Sequence, residues 1–127
     1  MFFVNWYQGM TREKFNQVVE EVMDSLPKEF RSRIQNVAVL VEDRPSGQAP
    51  AKLGKPRQLR LGLFHGVPMT HKSVFQLPTG PDYVVLYQEN IEAICHSEAE
   101  VRQQIRQTVI HEFGHYFGMT EEQLKDV

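Results

Sequence analysis

Phe15, Val18, Val19, Val22, Met23 and Leu26 recur at the three- and four-residue spacing of a single helix face. Polar residues fill most positions between them, so residues 11–26 are predicted to form an amphipathic helix. Thr11 stands where an N-cap belongs, and Pro27 ends the pattern. A second stripe, Val101, Ile105, Val109, Phe113 and Phe117, predicts a helix over residues 98–117. Ser97 and Glu100 have the spacing of a capping box at its start. A short helix is expected just before it, over residues 89–95.

Between these helices the period changes from three or four to two. Val37, Val39 and Val41 alternate, which predicts a strand over residues 34–42. Leu59, Leu61 and Leu63 alternate with Arg60, Gly62 and Phe64, predicting a second strand at 58–65 that Gly66 and Pro68 stop. Tyr83-Val84-Val85-Leu86-Tyr87 predicts a third at 83–88, after a turn at Pro78-Thr79-Gly80-Pro81. Residues 43–57 contain Pro45, Gly47, Pro50, Gly54 and Pro56 and read as a long exposed loop. The order suggests an α+β layer fold, a small mixed sheet packed against helices, in a single domain spanning residues 1–127.

Composition agrees with this picture. A chain of 127 residues, 41% of them hydrophobic, can bury one core. A net charge of −2 gives no general reason to expect nucleic acid as a partner. Lys52, Lys55, Arg57 and Arg60 make the end of the long loop basic, but four charges are too few for a nucleic-acid footprint. No membrane association is expected, since no run approaches the roughly 18 apolar residues of a spanning helix. Met1-Phe2-Phe3-Val4 lacks the features of a signal peptide, and the lone Cys95 suits a reducing compartment, so a cytoplasmic location is expected. Cys95 reads as a packing residue; a Cys95–His96 nucleophilic pair has no third group to orient it.

The chemistry concentrates near the end of the long helix, in His111-Glu112-Phe113-Gly114-His115-Tyr116-Phe117-Gly118. Residues four apart lie one above the other on a helix, so both imidazoles can reach one metal ion. Glu112 stands beside them, placed to act as a general base without being a ligand. This is the arrangement that zinc-dependent peptide hydrolysis requires. Composition alone would yield H-E-x-x-H about 0.02 times in such a chain.

Catalytic zinc usually takes a third protein ligand. Gly118 can adopt a left-handed backbone and turn the chain back toward the helix end. Glu121, six residues after His115, is the first candidate for the third ligand, and Glu122 is the alternative. Another reading makes Thr120 the N-cap of a final short helix, with both glutamates in its first turn. His65, His71 and His96 read as surface residues rather than ligands, and Tyr116 and His65 as packing or surface residues rather than oxyanion donors.

The chain resembles the small bacterial zincin-like metallopeptidases, a family with a minimal zincin fold. The resemblance spans nearly the whole chain. It is carried by Phe15 through Leu26-Pro27, Asn36-Val37-Ala38-Val39, Val41-Glu42, Leu61-Gly62-Leu63-Phe64-His65-Gly66, Leu86-Tyr87 and Ile91-Glu92. Most specific are His111 through Met119, followed by Glu121-Glu122-Gln123-Leu124. The resemblance implies a zincin-type sheet and helix, with His111 and His115 as metal ligands and Glu112 as general base. Family members commonly have aspartate where this chain has Glu121. With nine residues after Gly118, the Met-turn of the larger metzincins is not expected.

The resulting expectation is a zinc-dependent metallopeptidase acting on a peptide or protein substrate. The strand at 58–65 is the expected edge for pairing with an extended peptide, with Gly62 and Gly66 allowing close approach. The alternative is a non-catalytic binding or scaffold protein with structural zinc or none. An RNA-processing hydrolase would need a basic face, against which the net charge counts.

Overall fold

The computed structural model describes residues 7–48, 59–66 and 82–125. Helix α1 covers Arg12–Asp24, with Thr11 as N-cap: its hydroxyl accepts from the Lys14 N–H at 3.1 Å. Phe15, Val18, Val19 and Val22 are buried, and Leu26 joins them just past the helix end. The helix stops at Asp24, with Ser25 as C-cap, short of the predicted 26, and Pro27 starts a helix that periodicity does not reveal. This is α2, Lys28–Arg33, with Pro27 as N-cap. Six residues with a single buried side chain, Phe30, are too few to establish a period.

Three strands form a mixed sheet: β1 Ala38–Glu42, β2 Gly62–His65 and β3 Tyr83–Tyr87. The order is β1-β3-β2, with β1 parallel to β3 (Val39 opposite Val84) and β2 antiparallel to it (Leu63 opposite Val85). The first two strands are shorter than the predicted 34–42 and 58–65, because Ile34 caps α2 and residues 59–60 precede the Leu61–Tyr87 bond that begins the pairing with β3. The middle strand, β3, buries Val84, Val85, Leu86 and Tyr87. Burial on both faces explains its continuous apolar run, where β1 alternates. Val39 and Val41 of β1 pack on the core, while Leu40 is 46% exposed. Among the described residues β1 and β2 are the edges.

Helix α3, Gln88–Ala93, follows β3 directly. Two of its polar residues are buried, and each is satisfied, as burial requires. Gln88 donates to the Met10 carbonyl at 2.8 Å and to Glu92 at 2.6 Å, and accepts from Arg12 Nε at 2.8 Å. Asn90 donates to the Arg60 carbonyl at 2.7 Å and accepts from the Gln48 amide at 3.0 Å. These bonds tie α1 and the approach to β2 onto one helix.

Helix α4, Glu98–Tyr116, is the spine of the molecule. Ser97 caps it by accepting from the Glu100 N–H at 3.1 Å. The Glu100 carboxylate reaches one residue further back than a capping box requires, accepting from the His96 N–H at 3.0 Å. Val101, Ile105, Val109 and Phe113 are fully buried, and Phe117 is partly buried beside them. Phe30 of α2 sets its ring edge-on to Phe113 and Phe117, with centroids at 6.1 and 5.8 Å. The unforeseen helix therefore braces the C-terminal turns of α4. A last helix, α5, spans Glu121–Leu124. No helix among the described residues is long and apolar enough to cross a membrane. The predicted turn at 78–81 and most of the loop at 43–57 lie outside the described residues.

Candidate metal centre

His111 and His115 stand one turn apart at the end of α4, with ring centroids 4.2 Å apart. The backbone just past the helix end brings a third donor to them. Gly118 takes a φ of 71°, the left-handed conformation that glycine adopts without strain. The Met119 N–H then bonds back to the Gly114 carbonyl at 2.8 Å, and the Gly118 N–H to the His115 carbonyl at 3.1 Å. This pair of bonds is a Schellman closure, which ends α4 and reverses the chain. Thr120 next starts α5 with a full capping box: its hydroxyl accepts from the Gln123 N–H, and the Gln123 side chain accepts from the Thr120 N–H at 2.8 Å.

Glu121 thus enters the first turn of α5 directly beside the histidines. Its Oε1 lies 3.3 Å from His111 Nδ1 and 3.9 Å from His115 Nε2. A nitrogen from each imidazole and a Glu121 oxygen all fall within 4.8 Å of one another. Glu122 is not in this group. The two readings of this segment are compatible: Thr120 caps α5, and the cap is what delivers Glu121. The imidazoles are 46% and 55% exposed, so the group opens to solvent.

Close packing holds α5 in place. A β-carbon at Gly114 would sit 2.9 Å from Leu124 Cγ and closer still to its methyl groups. Leu124 is the buried residue of α5. Gly114 therefore lets α5 seat against α4. A glycine inside a helix is a visible signal of such an approach, since it costs about 1 kcal/mol relative to alanine.

Glu112 points toward the sheet. Its Oε2 accepts from the Phe64 N–H at 3.3 Å. The Tyr87 N–H bonds to the Leu61 carbonyl, so residues 61, 63 and 65 turn their backbone groups toward β3. Gly62 and Phe64 turn theirs to the outer edge, and Glu112 takes one of these groups. Phe64 also packs its ring on Tyr116 at 4.6 Å, and a β-carbon at Gly62 would lie 2.7 Å from Thr108 Cγ2. Glycine at 62 therefore allows β2 to press onto α4. Between them is a cleft of about 390 Å³ that reaches His111 and Glu112.

The other histidines are elsewhere. His65 stacks on Tyr83 at 4.6 Å, on the sheet face opposite Phe64. His96 precedes the start of α4, about 20 Å from the pair by helix rise. His71 lies outside the described residues. Tyr116 is buried against Phe64 and Phe117. Cys95 is 4% exposed, and burial pushes its thiol pKa up, with Glu100 and Glu92 adding to the shift. That is the opposite of what an activated nucleophile needs.

Comparison with known proteins adds two findings. Residues 34–127 match the family model for zincin-like metallopeptidases. The chain is also similar to a solved structure of a conserved hypothetical protein from Thermo thermophilus, with a TM-score of 0.52 at 20% identity. That alignment covers 85% of this chain and 94% of the other, and at this identity it speaks to the fold. No curated protein matches.

Proposed function

We propose, from the premise that this chain belongs to the zincin-like metallopeptidase family, that it hydrolyses peptide bonds using zinc held by His111, His115 and Glu121, with Glu112 as general base. One observation carries the reading: two imidazole nitrogens and a carboxylate oxygen converge beside a glutamate that is not in the group. The donor set suits zinc. Tetrahedral coordination with bonds of about 2.1 Å places donors about 3.4 Å apart. The separations of 3.3 and 3.9 Å are close to that. Three protein ligands are also the number that catalytic zinc sites use.

Bound there, zinc supplies a Lewis acid that polarises a carbonyl and makes water more acidic. The remaining work falls to this chain's own residues. Glu112 has Oε2 anchored on the Phe64 N–H, which leaves Oε1 to take a proton from water and pass it to the leaving amine. The outward-facing groups of Gly62 and the Phe64 carbonyl can pair with an extended peptide as an added strand. Because Phe64 both anchors Glu112 and belongs to that edge, it would fix base and substrate against the same backbone.

The test compares zinc-loaded wild type with Glu112→Gln on a mixture of unstructured peptides, with cleavage read by mass spectrometry. The variant should keep its zinc and lose turnover by at least about 100-fold, the effect of removing a general base. A zinc-loaded wild type that cleaves nothing would point instead to a binding or scaffold protein.

A further inference from the structure

The cleft between β2 and α4 has a neighbour of about 460 Å³ between α4 and α5, and His111 and Gln107 line both. The first cavity carries Arg60, and the second carries Arg106 and Lys125. The carboxylates lining them are Glu112 and Glu121, to which the proposed function assigns other work. Around the candidate centre there remain three cations and several side-chain amides, in a chain whose net charge is −2.

Three arginines of the molecule are already engaged by carboxylates. Arg12 pairs with Asp43, Arg44 with Glu89 at 2.8 Å, and Arg102 with Glu21 at 2.6 Å. Arg60, Arg106 and Lys125 have no ion pair among the described residues. The Arg60 backbone is fixed at the mouth of the first cavity, since its carbonyl accepts from the fully buried Asn90, and its side chain is exposed. An unpaired guanidinium offers a planar fork of donors that fits a carboxylate with two parallel bonds. The Gln107 amide, between the cavities, can add a further donor to an oxygen on either side.

We propose that these cavities select peptides with a carboxylate close to the scissile bond, carried by an acidic side chain or by a free C-terminus. The inference rests on the metallopeptidase reading and names its substrate class. Arg60 and Arg106 are the specificity-determining residues. They act on binding and take no part in proton transfer.

The test measures fluorescence anisotropy of zinc-loaded Glu112→Gln protein with four labelled peptides of equal length. One is neutral and amidated, one acidic and amidated, one neutral with a free C-terminal carboxylate, and one lysine-rich and amidated. At least one carboxylate peptide should bind about five- to tenfold more tightly than the neutral amide, and the lysine-rich peptide more weakly. The tighter of the two identifies the source of the carboxylate. In Arg60→Gln/Arg106→Gln protein of unchanged zinc content, the preference should shrink to within about twofold. Measurable binding that ignores charge, or a preference that survives the double substitution, would overturn the inference and leave the peptidase reading standing. If no peptide binds at all, both fail.

Discussion

Nδ1 of His111 lies 3.3 Å from Oε1 of Glu121, although a helix end and a chain reversal separate the two residues. The contact depends on three local devices: a left-handed glycine, a capping box, and a glycine that admits a leucine. Each can be removed alone, and each removal should be felt at the metal before it is felt in the core.

Gly118→Ala places a β-carbon on a residue with φ of 71°. The cost should be about 1–2 kcal/mol of stability. Because the strain falls between His115 and Glu121, zinc affinity should drop with it. Thermal unfolding and zinc titration check both effects. An unchanged affinity would mean that the chain reversal does not position Glu121.

Gly114→Ala tests the seat of α5. Alanine gains about 1 kcal/mol in helix propensity, whereas overpacking costs about 1–3 kcal/mol. A four-residue helix yields more easily than the core, so Leu124 should move and carry Glu121 with it. The two effects partly cancel, so the metal-free protein should lose no more than about 2 kcal/mol of stability, while zinc affinity falls about tenfold. Competition with a chelating dye measures the affinity.

Glu21 and Arg102 join α1 to α4 at the surface. The Arg102 hydrogen bond holds the Glu21 carboxyl below its ordinary range. A carboxyl lowered in the folded state contributes stability above its unfolded pKa, and that contribution is lost as pH falls through the folded value. Glu21→Gln should therefore lower the Tm at neutral pH, and the difference from wild type should close as the pH falls below the ordinary carboxylate range and through the lowered folded value. A gap that persists in acid would assign the effect to packing.

Cys95 should be inert in the folded protein. Burial raises its thiol pKa and also blocks access. Iodoacetamide near pH 8 should label it slowly in buffer and rapidly in denaturant, as read by mass spectrometry. Fast labelling of the native protein would contradict the packing around α3 and α4.

The features legible in the sequence are those that depend on local spacing. His111 and His115 are neighbours wherever residues 98–117 form a helix, and Thr11, Ser97 and Thr120 announce their caps. Gly118 announces the reversal as well. Pairings between distant segments could not be read. Nothing in residues 58–65 tells that the Phe64 N–H meets Glu112, or that Arg60 and Arg106 flank the same histidine, because these contacts need the sheet order β1-β3-β2. The continuous run Tyr83–Tyr87 carried a usable hint, since a strand apolar on both faces belongs at the centre. Phe30 and α2 stayed hidden because one buried residue has no period.

The proposed function requires that His111, His115 and Glu121 together hold one zinc ion. Elemental analysis after zinc loading and removal of loosely held ions tests it most directly, with His111→Ala and Glu121→Ala measured alongside. About one zinc per chain is expected in the wild type, with most of it lost from each variant. A wild type that retains no zinc, or a His111→Ala protein that retains it fully, would rule out this zinc site.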